Sequence, residues 1–322
     1  MTMLTIALPS KGRLQEQTLA YFADCGLAIS KDGGQRGYAA RMAGRPDVDV
    51  RLLSAGDIAA ALRDGTVHAG VTGEDLLREL GAAFARVACV LPLGFGRADL
   101  VVAAPSAWLD VTTMADLDEV GEALRARTGR RLRIATKYIR QAHAFFAARG
   151  VDDYRIVESL GATEGAPSAG VADVIVDITT TGATLAANHL KPLADGLILK
   201  SQAQLAVSRA ADWPEPVRAA FAGILDQIEA RGRGKALKLI RAALGKASPA
   251  SLDALAVRLG GRSAGEAASG QAAFYVPAER APEACAEAAA LGAGPAGVFA
   301  ADFVFDAEAT LSRGFRAALA RE

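Results

Sequence analysis

An α/β fold built on mainly parallel sheets is what this sequence predicts, followed by a separate small α+β appendage. Three observations carry that reading. Short apolar runs rich in β-branched residues alternate with helical patterns from Leu4 to Leu199, the signature of strand–helix–strand units joined by right-handed crossovers. Several of those runs end in polar, Gly-containing loops, and open α/β sheets hold their ligands at strand C-termini. After Ala211 the composition changes, with Pro214 and Pro216 marking a break before a long helical pattern.

The bulk properties narrow the function classes. The chain has 322 residues, 51% of them hydrophobic and 22% charged, enough for sizeable cores and for two or three domains. Lys and Arg number 36 against 36 Asp and Glu, so bulk charge lends no support to a nucleic-acid partner. Aromatic residues are 6%, which leaves few stacking platforms for single strands. Cys25, Cys89 and Cys285 are far apart and show no zinc or disulfide spacing, so they read as reduced thiols. The N-terminal residues lack a basic segment followed by an apolar one, and no apolar run is long enough to span a membrane. The expectation is a soluble cytoplasmic protein with neither nucleic acid nor membrane as partner.

Taken in order, residues 4–8 read as a strand and 14–25 as a helix with Leu14, Thr18, Tyr21 and Phe22 on one side. Lys11 and Arg13 stand near that helix's N-terminus, where cations oppose the dipole unless a polyanion binds. From this segment alone, solvated surface charges are the better reading. Residues 30–47 are Gly-rich and polar, a hairpin or mobile loop. Residues 48–53 and 68–71 read as strands, with a turn and cap over Ser54 to Asp57 and a short helix over 58–63 between them. Glu74 and Asp75 open a helix over 76–80, where the dipole favours acids. His68, at a strand start, reads as structural. Strands over 87–93 and 100–104 flank Gly94-Phe95-Gly96-Arg97. A helix over 114–127, a strand over 132–135, a helix over 139–149 and a strand over 154–157 follow.

The next stretch is the most informative. Residues 174–176 form a buried strand, and residues 183–190 are compatible with a helix start. Between them lie Asp177, Thr179, Thr180, Thr181 and Gly182, with Ala183 and Thr184 just beyond. Unpaired N–H groups and the dipole at a helix N-terminus favour an anion. The threonine hydroxyls add donors, and Gly182 lets the backbone approach closely. Asp177 would repel a phosphate, so it should face a sugar hydroxyl, a cation or a metal-bound water. A phosphosugar supplies both partners. The stretch resembles the phosphoribosyl-diphosphate (PRPP) loop of phosphoribosyltransferases; threonines that only cap a helix are the competing reading.

Beyond it, residues 197–199 read as a strand. A basic helix over 217–244, a small-residue linker over 260–270, a strand over 272–276, a helix over 282–291, a strand over 297–305 and a tail helix with Leu311, Phe315 and Leu319 complete a βαβ-like appendage.

Three motifs together resemble the ATP phosphoribosyltransferase family, from about Met3 to Leu205. They are Ala7 to Leu14 around Lys11-Gly12-Arg13, Gly70 to Leu77 around Glu74-Asp75, and Glu164 to Leu185 through Asp177 and Thr184. The resemblance implies two α/β domains of type II periplasmic-binding-protein form, 1–95 with 186–212 and 96–185, and a C-terminal linker and regulatory or assembly domain over 213–322. It implies attack of ATP adenine N1 on C1 of PRPP, release of pyrophosphate and a need for Mg²⁺ held mainly by substrate phosphates. Glu164, Asp177, Thr179, Thr180, Thr181, Gly182, Ala183 and Thr184 would hold PRPP. Lys11, Gly12, Arg13, Asp75, Lys137 and Tyr138 would face ATP, with Asp177, Lys11 and Arg13 closest to the chemistry. Histidine as feedback inhibitor and a homo-oligomer are further implications. Many members carry Arg where Ser54 stands. The C-terminal region resembles an ACT-like domain only over residues 272–305, because no strand is visible ahead of the helix near Ser251. An ordinary base phosphoribosyltransferase usually has two adjacent acids before the loop, whereas Asp177 is followed by Ile178. A cytosolic phosphosugar sensor of the same fold remains the alternative from another class.

Overall fold

A computed structural model describes residues 3–31, 39–265 and 270–320. Residues 32–38, within the expected hairpin or loop, and 266–269, within the expected linker, lie outside the described set. The chain divides into two compact units, Met1–Tyr21 with Ile29–Val217 and Ala318–Glu322, and Phe22–Ala28 with Arg218–Ala317.

The first half runs β1 (Leu4–Pro9), α1 (Gly12–Asp24), β2 (Ile29–Lys31), β3 (Ala39–Met42), β4 (Val48–Leu53), α2 (Ala55–Asp64), β5 (Ala69–Gly73), α3 (Glu74–Glu79) and β6 (Val87–Pro92). It continues with β7 (Ala98–Pro105), α4 (Met114–Thr128), β8 (Leu132–Thr136), α5 (Ile139–Ala148), β9 (Tyr154–Glu158), β10 (Val174–Thr179), α6 (Ala183–Ala187), β11 (Leu190–Ser201) and β12 (Ala203–Ser208). Two sheets result. The first has the order β2-β3-β4-β1-β5-β12-β6, and the second β11-β7-β10-β8-β9.

All six residues of β1 are buried, as expected of a central parallel strand covered on both faces. β1 runs parallel to β4 and β5, so the loops after these three strands meet at one end. In the second sheet β10 and β9 run parallel to β8, which brings Lys137 and the Asp177–Thr184 loop to one end as well. The chain leaves the first sheet after β6 and returns through β12, which lies antiparallel to both β5 and β6. This double crossover is the type II periplasmic-binding-protein form. The crossovers are bonded to each other: Leu93 N–H donates to the Ala203 carbonyl, and Ala203 N–H to the Phe95 carbonyl, both at 2.9 Å.

Three local expectations change. The helix expected over 183–190 is only five residues long, because His189 takes a left-handed φ of 57° and Leu190 begins β11. The three-residue strand expected over 197–199 is twelve residues long. Pro192 and Gly196 read as strand breakers, but the pairing with β7 absorbs them by shifting register between Pro192 and Leu199. β12, fully buried, had no strand reading at all. Residues 186–212 therefore divide between the sheets, with β11 in the second and β12 in the first, instead of all joining the first.

The other unit contains most of α7 (Glu215–Ala236), then β13 (Leu237–Ala243), α8 (Pro249–Arg258), β14 (Arg262–Ser263), β15 (Gln271–Pro277), α9 (Ala281–Ala290), β16 (Ala296–Ala300) and nearly all of α10 (Thr310–Leu319). The strand that the sequence hid is β13. Leu237–Ala243 fits a helical period, yet it pairs antiparallel with β15 on one side and β16 on the other. The long helix thus ends at Ala236, and the sheet order is β14-β15-β13-β16. Its βαββαβ succession is that of ferredoxin-like folds. Ile240, Phe274 and Val276 pack one face of the sheet against Leu252 and Leu255 of α8 and Ala284 and Ala288 of α9. β16 stops at Ala300 rather than reaching Phe305.

Asp173 sets the register of β10. Its carboxylate accepts from Arg130 Nη1 at 2.6 Å, from Arg133 N at 2.8 Å and from Arg133 Nη2 at 3.0 Å. Its own N–H donates to the Arg133 carbonyl at 2.9 Å. A slip of one residue would turn Asp177 to the other face of the sheet. Burial would raise the Asp173 pKa, but hydrogen bonds from Arg133 and Arg130 outweigh it and hold the carboxyl at about 2. A depressed carboxylate contributes stability that is complete above the unfolded value near 3.8 and is lost as pH falls toward 2. Asp173→Asn should cost about 1–3 kcal/mol at neutral pH. Melting curves should show the mutant and parent converging between pH 4 and 2; a gap that stays constant over that range rules out the ion pair as the cause.

Candidate active site

The ends of both sheets border a cleft of about 560 Å³. From the first sheet come Arg13 and Gln17 of α1, Ala55 at the start of α2, and Gly73, Asp75 and Leu76 around the start of α3. From the second come Lys137 and Tyr138 after β8, and Ile178 and Thr180 at the end of β10. The β6–β7 crossover adds Gly94 to Arg97.

Asp75 is the best-determined member. It is 6% exposed. Tyr138 Oη donates to its Oδ2 at 2.6 Å, and Ser201 Oγ donates to its Oδ1 at 2.7 Å. Ser201 Oγ also accepts from the Asp75 N–H at 3.0 Å. This geometry requires Gly73, since a Cβ there would run into the Asp75 carboxylate. Burial and the neighbouring Asp75 charge raise the Tyr138 pKa, so the phenol stays a neutral donor. Helix α3 is locked to α5 at its other end too. Glu79 accepts from Arg140 N at 2.7 Å and Gln141 N at 3.2 Å, and Gln141 Nε2 donates to the Asp75 carbonyl at 2.9 Å.

Asp177 ends the buried part of β10 and is itself half-buried. Burial raises its pKa; the Ile178 N–H and the Lys137 ammonium oppose the shift, while Glu164 and Asp75 add to it. Asp177, Glu164, Asp75, Lys137 and Tyr138 therefore form one electrostatic cluster. Lys137 Nζ stands 4.9 Å from the Tyr138 ring centre. Glu164 lies in a single 3₁₀ turn, Thr163–Gly165.

The threonine loop is shaped by its own hydroxyls. Gly182 takes a φ of 75°, a left-handed conformation that glycine adopts at no steric cost. Its N–H donates to Thr179 Oγ1 at 3.0 Å, and Ala183 N–H donates to Thr181 Oγ1 at 3.4 Å. Thr180 Oγ1 donates to the Arg97 carbonyl at 3.3 Å, which ties the loop to the crossover. Thr184 opens α6 and is exposed.

Not every expected residue borders the cleft. Arg13, Asp75, Lys137, Tyr138 and Thr180 do. Lys11, Gly12, Glu164, Asp177, Thr179, Thr181, Gly182, Ala183 and Thr184 are not among its lining residues. Lys11 and Gly12 are exposed at the start of α1, and Gly12 takes a φ of 73°. Ser54 caps α2 by accepting from the Asp57 N–H at 3.2 Å. His68 is structural, as read: Nδ1 accepts from the Thr5 N–H and Nε2 contacts the Asp212 carbonyl, each at 3.0 Å.

Gln17 and Arg97 were not read from the sequence as site residues. Gln17 lies one helical turn after Arg13, a spacing that puts both on one face of α1, so it was within reach. The place of Arg97 depends on Thr180, 83 residues away, and no local pattern announces that.

The ATP phosphoribosyltransferase family profile matches residues 54–230. The ATP phosphoribosyltransferase of Caulobacter vibrioides is 53% identical over 321 residues, covering 99% of this chain and 98% of its own. That of Rhodopseudomonas palustris strain HaA2 is 51% identical over 304 residues, 94% of each chain. A solved chain of the ATP phosphoribosyl transferase (HisG:HisZ) complex from Thermotoga maritima superposes with a TM-score of 0.55 at 25% identity, covering 70% of this chain and 96% of that one. The full-length likeness at half identity, joined to the two-sheet fold, places this chain in the ATP phosphoribosyltransferase family.

Proposed function

We propose that this chain carries out the family's reaction, joining ATP adenine N1 to C1 of PRPP with release of pyrophosphate, chiefly by positioning and charge compensation. The carrying observation is that two strand ends of the second sheet present the acid–threonine loop and Lys137 together. Thr179 to Thr184 would receive the ribose 5-phosphate, and Asp177 with Glu164 the ribose hydroxyls. Arg13 and Lys137 would face substrate phosphates, with Lys11 farther out. Adenine N1 carries its own lone pair, so attack needs no strong base, and orientation accounts for most of the acceleration.

The donor set suits Mg²⁺. Among the described residues no group of three His, Cys, Asp or Glu could hold a metal by itself. Mg²⁺ commonly takes one or two carboxylates plus substrate phosphates, and Asp177 with Glu164 would be those carboxylates. When bound, the ion supplies charge compensation at the phosphates.

The C-terminal unit is proposed as a histidine-sensing, ACT-like module that also supports homo-oligomeric assembly. The strand missing from the sequence reading is present as β13, which removes the main objection to that resemblance. On this reading the chain acts without a separate regulatory protein. The site for the reaction is expected in the cytoplasm, and no described helix is long and apolar enough to cross a membrane.

A coupled absorbance assay with ATP, PRPP and Mg²⁺, with and without histidine, tests the reading on the purified chain alone. Turnover that histidine suppresses is the expected result; no turnover with both substrates refutes it. Asp177→Asn should lower kcat/KM for PRPP by roughly ten- to a hundredfold, the loss of one or two charged hydrogen bonds. Its melting temperature should hold or rise, because burial already disfavours the ionised carboxylate. Tyr138→Phe should do the opposite to stability. It leaves the Asp75 carboxylate one donor short in a buried site, at a cost of about 1–3 kcal/mol. A melting point that falls with Asp177→Asn and holds with Tyr138→Phe would reverse these assignments.

A further inference from the structure

We propose that Arg97 is a catalytic residue of the phosphoribosyl transfer, its guanidinium receiving the pyrophosphate that departs from C1 of PRPP. The inference rests on the reading of the cleft given above.

The backbone that presents Arg97 is tightly specified. Gly94 and Gly96 take φ values of 77° and 62°, a region that other residues enter at a cost. A Cβ on Gly96 would stand 3.0 Å from Leu14 Cδ1 and 3.3 Å from Ala203 Cβ. Phe95, between them, is bonded through its carbonyl to Ala203 N–H at 2.9 Å. The Arg97 carbonyl then accepts from Thr180 Oγ1. Its main chain is thus held between the crossover and the loop that would hold the ribose phosphate.

Charge assigns the role. Arg13, Arg97 and Lys137 are the cations bordering the cleft among the described residues. Lys137 is engaged with the Tyr138 ring. Arg13 belongs to α1, on the first sheet's side. Arg97 alone combines a main chain tied to the threonine loop with a guanidinium that has no ion pair or hydrogen bond among the described residues. On this proposal Arg97 receives the pyrophosphate leaving a ribose seated on that loop, and Arg13 remains for the triphosphate of ATP.

The reaction needs such a group. The N1 lone pair forms the N1–C1 bond while the C1–O bond breaks, and its electron pair leaves on the pyrophosphate oxygen. The adenine ring then loses its amino proton to solvent, so Arg97 handles no proton. The charge gained by the leaving oxygen is greater in the transition state than in bound PRPP. A planar guanidinium can answer it with two parallel N–H donors, and a held main chain limits the reorganisation required.

The full-length chain, Arg97→Ala and Arg97→Lys would be compared by steady-state kinetics with both substrates varied, and by calorimetric titration with pyrophosphate. Arg97→Ala should lower kcat by roughly 10²–10³-fold, the range for losing one such donor. Arg97→Lys should restore about tenfold of that, since it keeps the charge and loses the fork. KM for ATP should move by less than about threefold, and pyrophosphate binding should weaken by at least about tenfold. A kcat within about threefold of the parent in Arg97→Ala overturns the proposal. So does a rise in KM for ATP with pyrophosphate binding unchanged, which assigns Arg97 to the triphosphate. If Arg97→Ala melts before assay, Arg97→Lys carries the same comparison. A parent chain that does not turn over ATP with PRPP refutes the proposed function, whereas pyrophosphate binding unchanged between parent and Arg97→Lys refutes the role of Arg97.

Discussion

The buried carboxylate of Asp75 is the constraint on which the rest of the site depends. It begins α3 under the first sheet, takes a phenol from the second sheet and a hydroxyl from Ser201 at the end of β11. Three chain segments that are distant in sequence are thereby fixed against one acid. A buried charge is tolerated only when its lone pairs are answered, so Tyr138 and Ser201 are obligatory once Asp75 is buried. Each hydrogen bond to a charged group is worth about 1.5–3 kcal/mol. Glu79, one turn farther along α3, repeats the device by capping the first N–H groups of α5. Two acids on a six-residue helix thus fix the separation of the sheet ends that border the cleft.

That arrangement divides the site's charge in a useful way. The acids lie deep: each oxygen of the Asp75 carboxylate accepts from one side-chain donor, and Asp177 is half-buried with its pKa raised by burial and by its acidic neighbours. The cations Arg13, Arg97 and Lys137 border the cavity, and each is exposed. A polyanion entering such a cleft meets positive charge first. A sugar hydroxyl or a cation arriving with it relieves the field around Asp177. Asp177 is therefore a cost to the folded chain in the absence of ligand, and functional sites tend to keep such costs.

How much of this was legible in the sequence depends on the range over which each feature is determined. The α/β class, the strand ends and the Asp177–Thr184 loop are local, set by runs such as Val174 to Val176 and by Gly182, and they were readable. The depth of Asp75 was not. A first-turn acid is what a helix dipole prefers, and nothing in Glu74-Asp75 distinguishes a cap from a buried pin whose partners are 63 and 126 residues away. β13 was hidden because Leu237 to Ala243 satisfies both the helical and the strand period, and pairing on both sides decided between them. β11 was hidden because Pro192 and Gly196 are strand breakers unless a register shift accommodates them. β12 was hidden by its composition: Ala-Gln-Leu-Ala-Val-Ser has little intrinsic strand preference, and its six buried positions come from its place between β5 and β6.

The two crossovers explain how a cleft made from two separate sheets can be pre-set for chemistry. Each connection is short, and they are bonded together through Ala203. Two further bonds stand at the cleft, Asp75–Tyr138 and Thr180–Arg97. The first joins the start of α3 to the segment after β8, whereas the second continues the β10–β7 pairing one step past Thr179 and Asp99; all four residues border the cleft. Substrate contacts that span the cleft therefore add to the Asp75–Tyr138 bond already made across it. The donors meet developing charge with little reorganisation, which is the condition under which fixed dipoles and charges contribute most to a transition state. A site assembled from mobile loops would lose part of that contribution to ordering them.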